Sequence, residues 1–198
     1  MRLRALFVVA GLVVSACAAG VPTGRLLGEV VENPSPKPSF VLTDTDGQPY
    51  DFAARTEGKV TLLYFGYTLC PDICPVHLAQ IAEVLELHPR LAREIEVVFV
   101  SVDPGRDSPE VIRRFLDSFS TRFVGLTGSH EELGEAQEAA GVPVATFDGD
   151  GVDYTVSHAA WVIGYGPDGL NHATYPFGTR QSQWENDLQA LASMTGAE

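Results

Sequence analysis

Two cysteines, Cys70 and Cys74, stand with three residues between them in the run Tyr67-Thr68-Leu69-Cys70-Pro71-Asp72-Ile73-Cys74-Pro75. Thiols this close can cycle between dithiol and disulfide, attack a partner's disulfide, or hold a soft metal ion. Their reactivity depends on the element that carries them. Residues 60–65, Val-Thr-Leu-Leu-Tyr-Phe, are β-branched and aromatic and read as a buried strand, while Leu78, Ile81, Leu85 and Leu87 recur beyond them at roughly helical spacing. The cysteines thus fall where a strand hands over to a helix. Unpaired N–H groups and the positive end of the helix dipole favour thiolate there, so chemistry rather than packing is expected of both.

The third cysteine, Cys17, belongs to a different feature. Arg2 and Arg4 precede an apolar run over residues 5–14 that ends in Val14-Ser15-Ala16-Cys17, the pattern of a secretion signal. This end resembles the lipobox of bacterial lipoproteins, in which the cysteine is acylated and becomes the first mature residue. The resemblance implies removal of residues 1–16 and an extracytoplasmic protein anchored to the membrane by a lipid on Cys17. The rival is an uncleaved anchor, but an apolar stretch ending near Ala19 is short against the roughly 20 residues that cross a bilayer. The 198-residue chain carries 13 basic and 26 acidic side chains, and losing Arg2 and Arg4 with the signal leaves 11 against 26, a net charge of −15. Such a balance argues against nucleic acid or an anionic lipid surface as a partner.

Residues 17–38, ending in Asn33-Pro34-Ser35-Pro36-Lys37-Pro38, read as an extended, stiff linker. Residues 39–198 then make about one domain's worth of chain. Phe40-Val41-Leu42, the Asp46-Gly47 turn and a return through Tyr50 and Phe52 predict a β-hairpin. The first buried strand and the cysteine helix follow, the helix running to about His88 and stopping at Pro89. Residues 96–102 form a second apolar strand; Ser108-Pro109-Glu110 opens a helix, residues 123–126 make a short strand, and Ser129-His130-Glu131-Glu132 starts another helix with a capping box. Residues 154–164 and 170–175 read as a hairpin around Gly166-Pro167-Asp168-Gly169, and a last helix covers about 181–194.

That order is the thioredoxin-like one, an α/β fold with a central mixed sheet flanked by helices, here with an N-terminal β-hairpin. Thioredoxins place two residues between their cysteines, and this chain places three. The residues instead resemble the Sco/SenC family of copper-binding assembly factors for cytochrome c oxidase. The resemblance rests on Gly66-Tyr67-Thr68-Leu69-Cys70-Pro71-Asp72-Ile73-Cys74-Pro75, on Ser101-Val102-Asp103-Pro104 with Arg106-Asp107, on Gly125-Leu126-Thr127-Gly128, and on Asp153-Tyr154-Thr155-Val156-Ser157-His158, and it covers residues 40–193. It implies that Cys70, Cys74 and His158 ligate copper, with Asp153 beside the site orienting the imidazole or balancing charge. Two thiolates and an imidazole suit Cu(I) and can retain Cu(II). His158 would begin the strand 158–163, where thioredoxins put a cis-proline opposite their cysteines. The partners implied are the copper-centre subunit of cytochrome c oxidase as acceptor and an extracytoplasmic copper donor.

Other chemistry competes for the same residues. A thiol:disulfide oxidoreductase would use Cys70 and Cys74 as a redox pair and reduce the acceptor's cysteines. Zinc tolerates the spacing, but a structural site wants four ligands and no second cysteine pair is present. A peroxiredoxin-type peroxidase lacks its expected threonine-and-proline setting. His77 reads as a solvent-facing helix residue, and His88, His130 and His172 read as capping or hairpin positions. Asp103, Arg106 and Asp107 read as organisers of a loop, and Tyr64, Phe65, Phe99, Phe115, Phe123 and Trp161 as core.

Overall fold

The computed structural model describes residues 24–151 and 153–194. The signal and Cys17 lie outside them. Among the described residues no helix is long and apolar enough to cross a membrane. In chain order the elements are β1 (Glu29–Val30), β2 (Val41–Asp44), β3 (Pro49–Asp51), α1 (Phe52–Arg55), β4 (Val60–Gly66), α2 (Ile73–Leu87), a 3-10 turn at Leu91–Arg93, β5 (Ile95–Ser101), α3 (Pro109–Asp117), β6 (Val124–Thr127), α4 (His130–Ala139), β7 (Thr146–Asp150), β8 (Asp153–Ser157), β9 (Trp161–Tyr165), β10 (Asn171–Pro176) and α5 (Gln181–Ala192).

Eight strands form one mixed sheet in the order β1-β10-β9-β4-β5-β6-β2-β3. Its centre is parallel, β4 beside β5 and β5 beside β6, and the flanking pairs are antiparallel. Every residue of β4 is buried, as a central strand covered on both faces requires. The strand period of two sends Leu62 and Tyr64 to one side, where Leu78 and Ile81 of α2, Ile112 of α3 and Trp184 of α5 form a core. Leu63 and Phe65 go to the other side, against Phe52 of α1 and Leu133 and Ala136 of α4. Ser108 caps α3 ahead of a first-turn proline, and Ser129 and Glu132 complete the capping box of α4. The expected α/β architecture, with its β2–β3 hairpin, is therefore present.

Two differences bear on the site. Residues 154–164 are not one strand: β8 pairs with β7 in a separate two-stranded hairpin, and β9 runs in the main sheet. Gly151, at φ +65°, turns β7 into β8 by adopting the left-handed conformation such hairpins need. His158 is left in the short link between β8 and β9 rather than at the start of a strand. The second difference is the segment read as a linker, which is docked from Leu26 onward. The buried carboxylate of Asp187 accepts from the backbone N–H groups of Leu27 at 2.8 Å and Gly28 at 2.8 Å, β1 pairs with β10, and Lys37 Nζ donates to the carbonyl oxygens of Thr56 and Lys59. A proline-rich composition does not reveal acceptors waiting elsewhere in the chain.

Candidate metal centre

β4 ends at Gly66, and the chain crosses to α2 through the cysteine loop. Asp72 occupies the N-cap position of α2 but its side chain caps nothing. The first-turn N–H of Cys74 instead points at Cys70 Sγ, 3.4 Å away. A sulfur at the open end of a helix is stabilised as thiolate by that N–H and by the helix dipole. Hydrogen bonds from Cys74 pull the Cys70 thiol well below the ordinary cysteine range against the opposing effect of burial. Its hydrogen bond to Cys70 and its own burial push Cys74 up. The two thiols are thus pushed in opposite directions, which favours Cys70 over Cys74 as the thiolate. Both thiols are free and buried, Cys74 completely.

Space for the Cys74 sulfur is made by Gly66. A Cβ built there would lie 2.7 Å from Cys74 Sγ and 2.8 Å from Phe99 Cε2. On the strand face shared with Gly66, the Tyr64 hydroxyl donates to Cys74 Sγ at 3.2 Å.

His158 reaches the sulfurs from the β8–β9 link. Its Nδ1 lies 2.9 Å from the carbonyl oxygen of Phe65 and 2.9 Å from that of Ala159, acceptors that require the proton on Nδ1. In the neutral ring Nε2 is then the lone-pair donor, and it lies 3.9 Å from Cys74 Sγ. The ring of Tyr67 packs edge-on against the imidazole at 5.5 Å. One ligand atom each from Cys70, Cys74 and His158 fall within 4.8 Å of one another, and this is the metal-competent grouping among the described residues. The donor set fits copper: two soft sulfurs and a neutral imidazole whose tautomer is fixed by an outer hydrogen bond.

Asp153 opens β8 opposite Asp150 and is exposed. The carbonyl of Phe65, rather than a carboxylate, orients the His158 ring. The Asp103, Arg106 and Asp107 loop is tied directly to the cysteine loop. Buried Asp107 accepts from Thr68 N at 2.9 Å, Thr68 Oγ1 at 2.5 Å and Ser101 Oγ at 2.6 Å. Buried Asp103 accepts from Arg106 Nε at 2.6 Å and from the Tyr154 hydroxyl, and Arg106 Nη1 donates to the Tyr154 carbonyl at 3.0 Å. One polar network thus joins β8, the strand that leads to His158, to the loop carrying Cys70.

His77 departs from its expected place. It is wholly buried, with neither ring nitrogen hydrogen-bonded, among the rings of Tyr64 at 5.3 Å, Trp184 at 6.1 Å and Phe177 at 6.3 Å. Residues 74, 77, 78 and 81 form the inward stripe of α2, so a histidine at position 77 must face the core.

The SCO1/SenC family model matches residues 30–193, most of the chain. The chain belongs to the SCO1/SenC family. Apo Sco1 of Thermus thermophilus superposes with a TM-score of 0.76 at 34% identity, covering 84% of this chain and 97% of that one. Bradyrhizobium japonicum ScoI, solved with copper bound, gives 0.70 at 32% identity, covering 78% and 98%. An SCO2-like protein of Rickettsia felis is 34% identical over 62% of this chain and 60% of its own length. A mitochondrial SCO2 homolog of mouse is 38% identical over 66% and 52%. The chain thus spans less than two thirds of the length of these curated relatives. The solved family members share its thioredoxin-like fold.

Proposed function

We propose that this protein is a copper metallochaperone, holding copper between Cys70, Cys74 and His158 and passing it to the dinuclear copper centre of a cytochrome c oxidase subunit. The observation that carries the reading is the convergence of two sulfurs from the β4–α2 junction and an imidazole nitrogen from the β8–β9 link. Three ligands hold copper while leaving room for an incoming one, so transfer can proceed by stepwise exchange with the acceptor's own ligands. An extracytoplasmic copper donor would load the site. The signal and Cys17 fit a lipid-anchored protein outside the cytoplasm, where such an acceptor faces.

A second reading, thiol:disulfide reduction of the acceptor's cysteines, is favoured by the split between a thiolate at Cys70 and a protonated thiol at Cys74. His158→Ala separates the two. It removes the nitrogen ligand and leaves both thiols in place. Under the chaperone reading the variant loses copper, Cu(II) above all, and fails to support oxidase assembly in cells, while still reducing an oxidised acceptor peptide. Full assembly by a variant that binds no copper would overturn the chaperone reading in favour of the reductase.

A further inference from the structure

Tyr64 lies in the middle of the most buried strand of the sheet and is itself fully buried. A buried tyrosine hydroxyl usually finds a hydrogen-bond partner. Here the hydroxyl donates to Cys74 Sγ at 3.2 Å, within the normal range for a sulfur acceptor. The arrangement is held from several sides. Gly66, two residues on along the same face, lets the sulfur approach the strand, and the ring lies 6.0 Å from Phe99 and 5.3 Å from His77. Cys74 is fixed by the first turn of α2.

We infer that Tyr64 is a positioning residue that sets the donor strength of the Cys74 sulfur, and with it the preference of the site between Cu(I) and Cu(II). This rests on the copper reading above. A hydrogen bond to a thiolate withdraws electron density from it, and outer partners of metal ligands commonly change affinity at least tenfold when removed. Sulfur bound to Cu(I) keeps more negative charge than sulfur bound to Cu(II), because the dication draws more density through the bond. An O–H donor therefore stabilises the Cu(I) form more. For a carrier that releases copper to thiolate ligands, this biases the cargo toward the state that exchanges soft ligands readily.

The test is Tyr64→Phe, which removes one oxygen and keeps the ring. Cu(I) affinity is measured by competition with bicinchoninate, Cu(II) affinity by competition with a chelator specific for that state, and the thiolate-to-Cu(II) charge-transfer band by visible spectroscopy. The expected result is a Cu(I) affinity weakened about tenfold, a smaller change for Cu(II), and a shifted band. Tyr175→Phe deletes another fully buried hydroxyl in the same core cluster, one beside Asp187 rather than a cysteine sulfur. It should change neither affinity nor band, so a general core effect is distinguishable. Unchanged Cu(I) affinity and band in Tyr64→Phe, with the parent protein binding copper normally, would overturn the inference and leave the copper reading standing. A parent that binds neither copper state would overturn both.

Discussion

Acidification should destabilise this protein through one identifiable group, His77. The imidazole is fully buried among three aromatic rings with no hydrogen bond to either nitrogen. Desolvation lowers its pKa from 6.5 to about 4, and the nearby Pro176 carbonyl offsets only part of that. The folded pKa lies below the unfolded one, so between them the unfolded chain takes up a proton that the folded chain refuses. Stability is therefore independent of this group above pH 6.5 and falls as the pH drops toward 4. A pKa difference of about 2.5 units corresponds to about 3 kcal/mol over the whole window, of which about 2 kcal/mol is lost by pH 5. His77→Leu removes both the titration and the cost of an unpaired buried polar group, a cost of about 1–3 kcal/mol. The variant should unfold at higher urea than the parent at pH 7, and the gap should widen by about 2 kcal/mol at pH 5. Comparing the two proteins cancels the titration of the carboxylates they share. Parallel stability curves from pH 7 to pH 5, or a variant less stable at pH 7, would show that the imidazole has a favourable partner and refute the reasoning.

Gly66→Ala should lower the melting temperature by overpacking, worth about 1–3 kcal/mol, and also weaken copper binding, because the new methyl meets the Cys74 sulfur itself. Equal copper affinity in this variant and the parent would show that the sulfur does not need that gap. Asp107→Asn leaves the Thr68 N–H and the Ser101 hydroxyl competing for fewer acceptor sites, and the loss should be about 1–3 kcal/mol in a thermal or urea melt. Iodoacetamide at pH 6 should alkylate Cys70 before Cys74, read by peptide mass spectrometry, because the thiolate resides on Cys70 and Cys74 is the more deeply buried. Modification of Cys74 first would reverse the assignment of the thiolate.

Much of the fold could be read from short-range pattern. The apolar run 60–65, the serine caps of α3 and α4 and the Asp46-Gly47 turn each carry their own local signal, and the corresponding elements formed where those signals lie. Cys70 and Cys74 announced themselves by spacing. His158 needed the flanking Asp-Tyr-Thr-Val-Ser, since nothing local to a histidine after a serine marks a ligand. What escaped depends on pairing across distance. The docking of residues 26–37 turns on Asp187 and β10, far along the chain. The hydroxyl of Tyr64 looked like core until the sheet and α2 brought it to Cys74. His77 was the exception: its i, i+3 relation to Cys74 and its place beside Leu78 already put it on the inward stripe, and its polar type masked that signal.

X-ray absorption at the copper edge, on protein loaded with one equivalent of copper, tests the central claim most directly. The account predicts one copper per chain with two sulfur scatterers and one imidazole nitrogen, loss of the nitrogen in His158→Ala, and loss of tight binding in the Cys70→Ser, Cys74→Ser double variant, where hard hydroxyls replace soft thiolates. A first shell of oxygen and nitrogen alone, or full copper retention by the double serine variant, would contradict it.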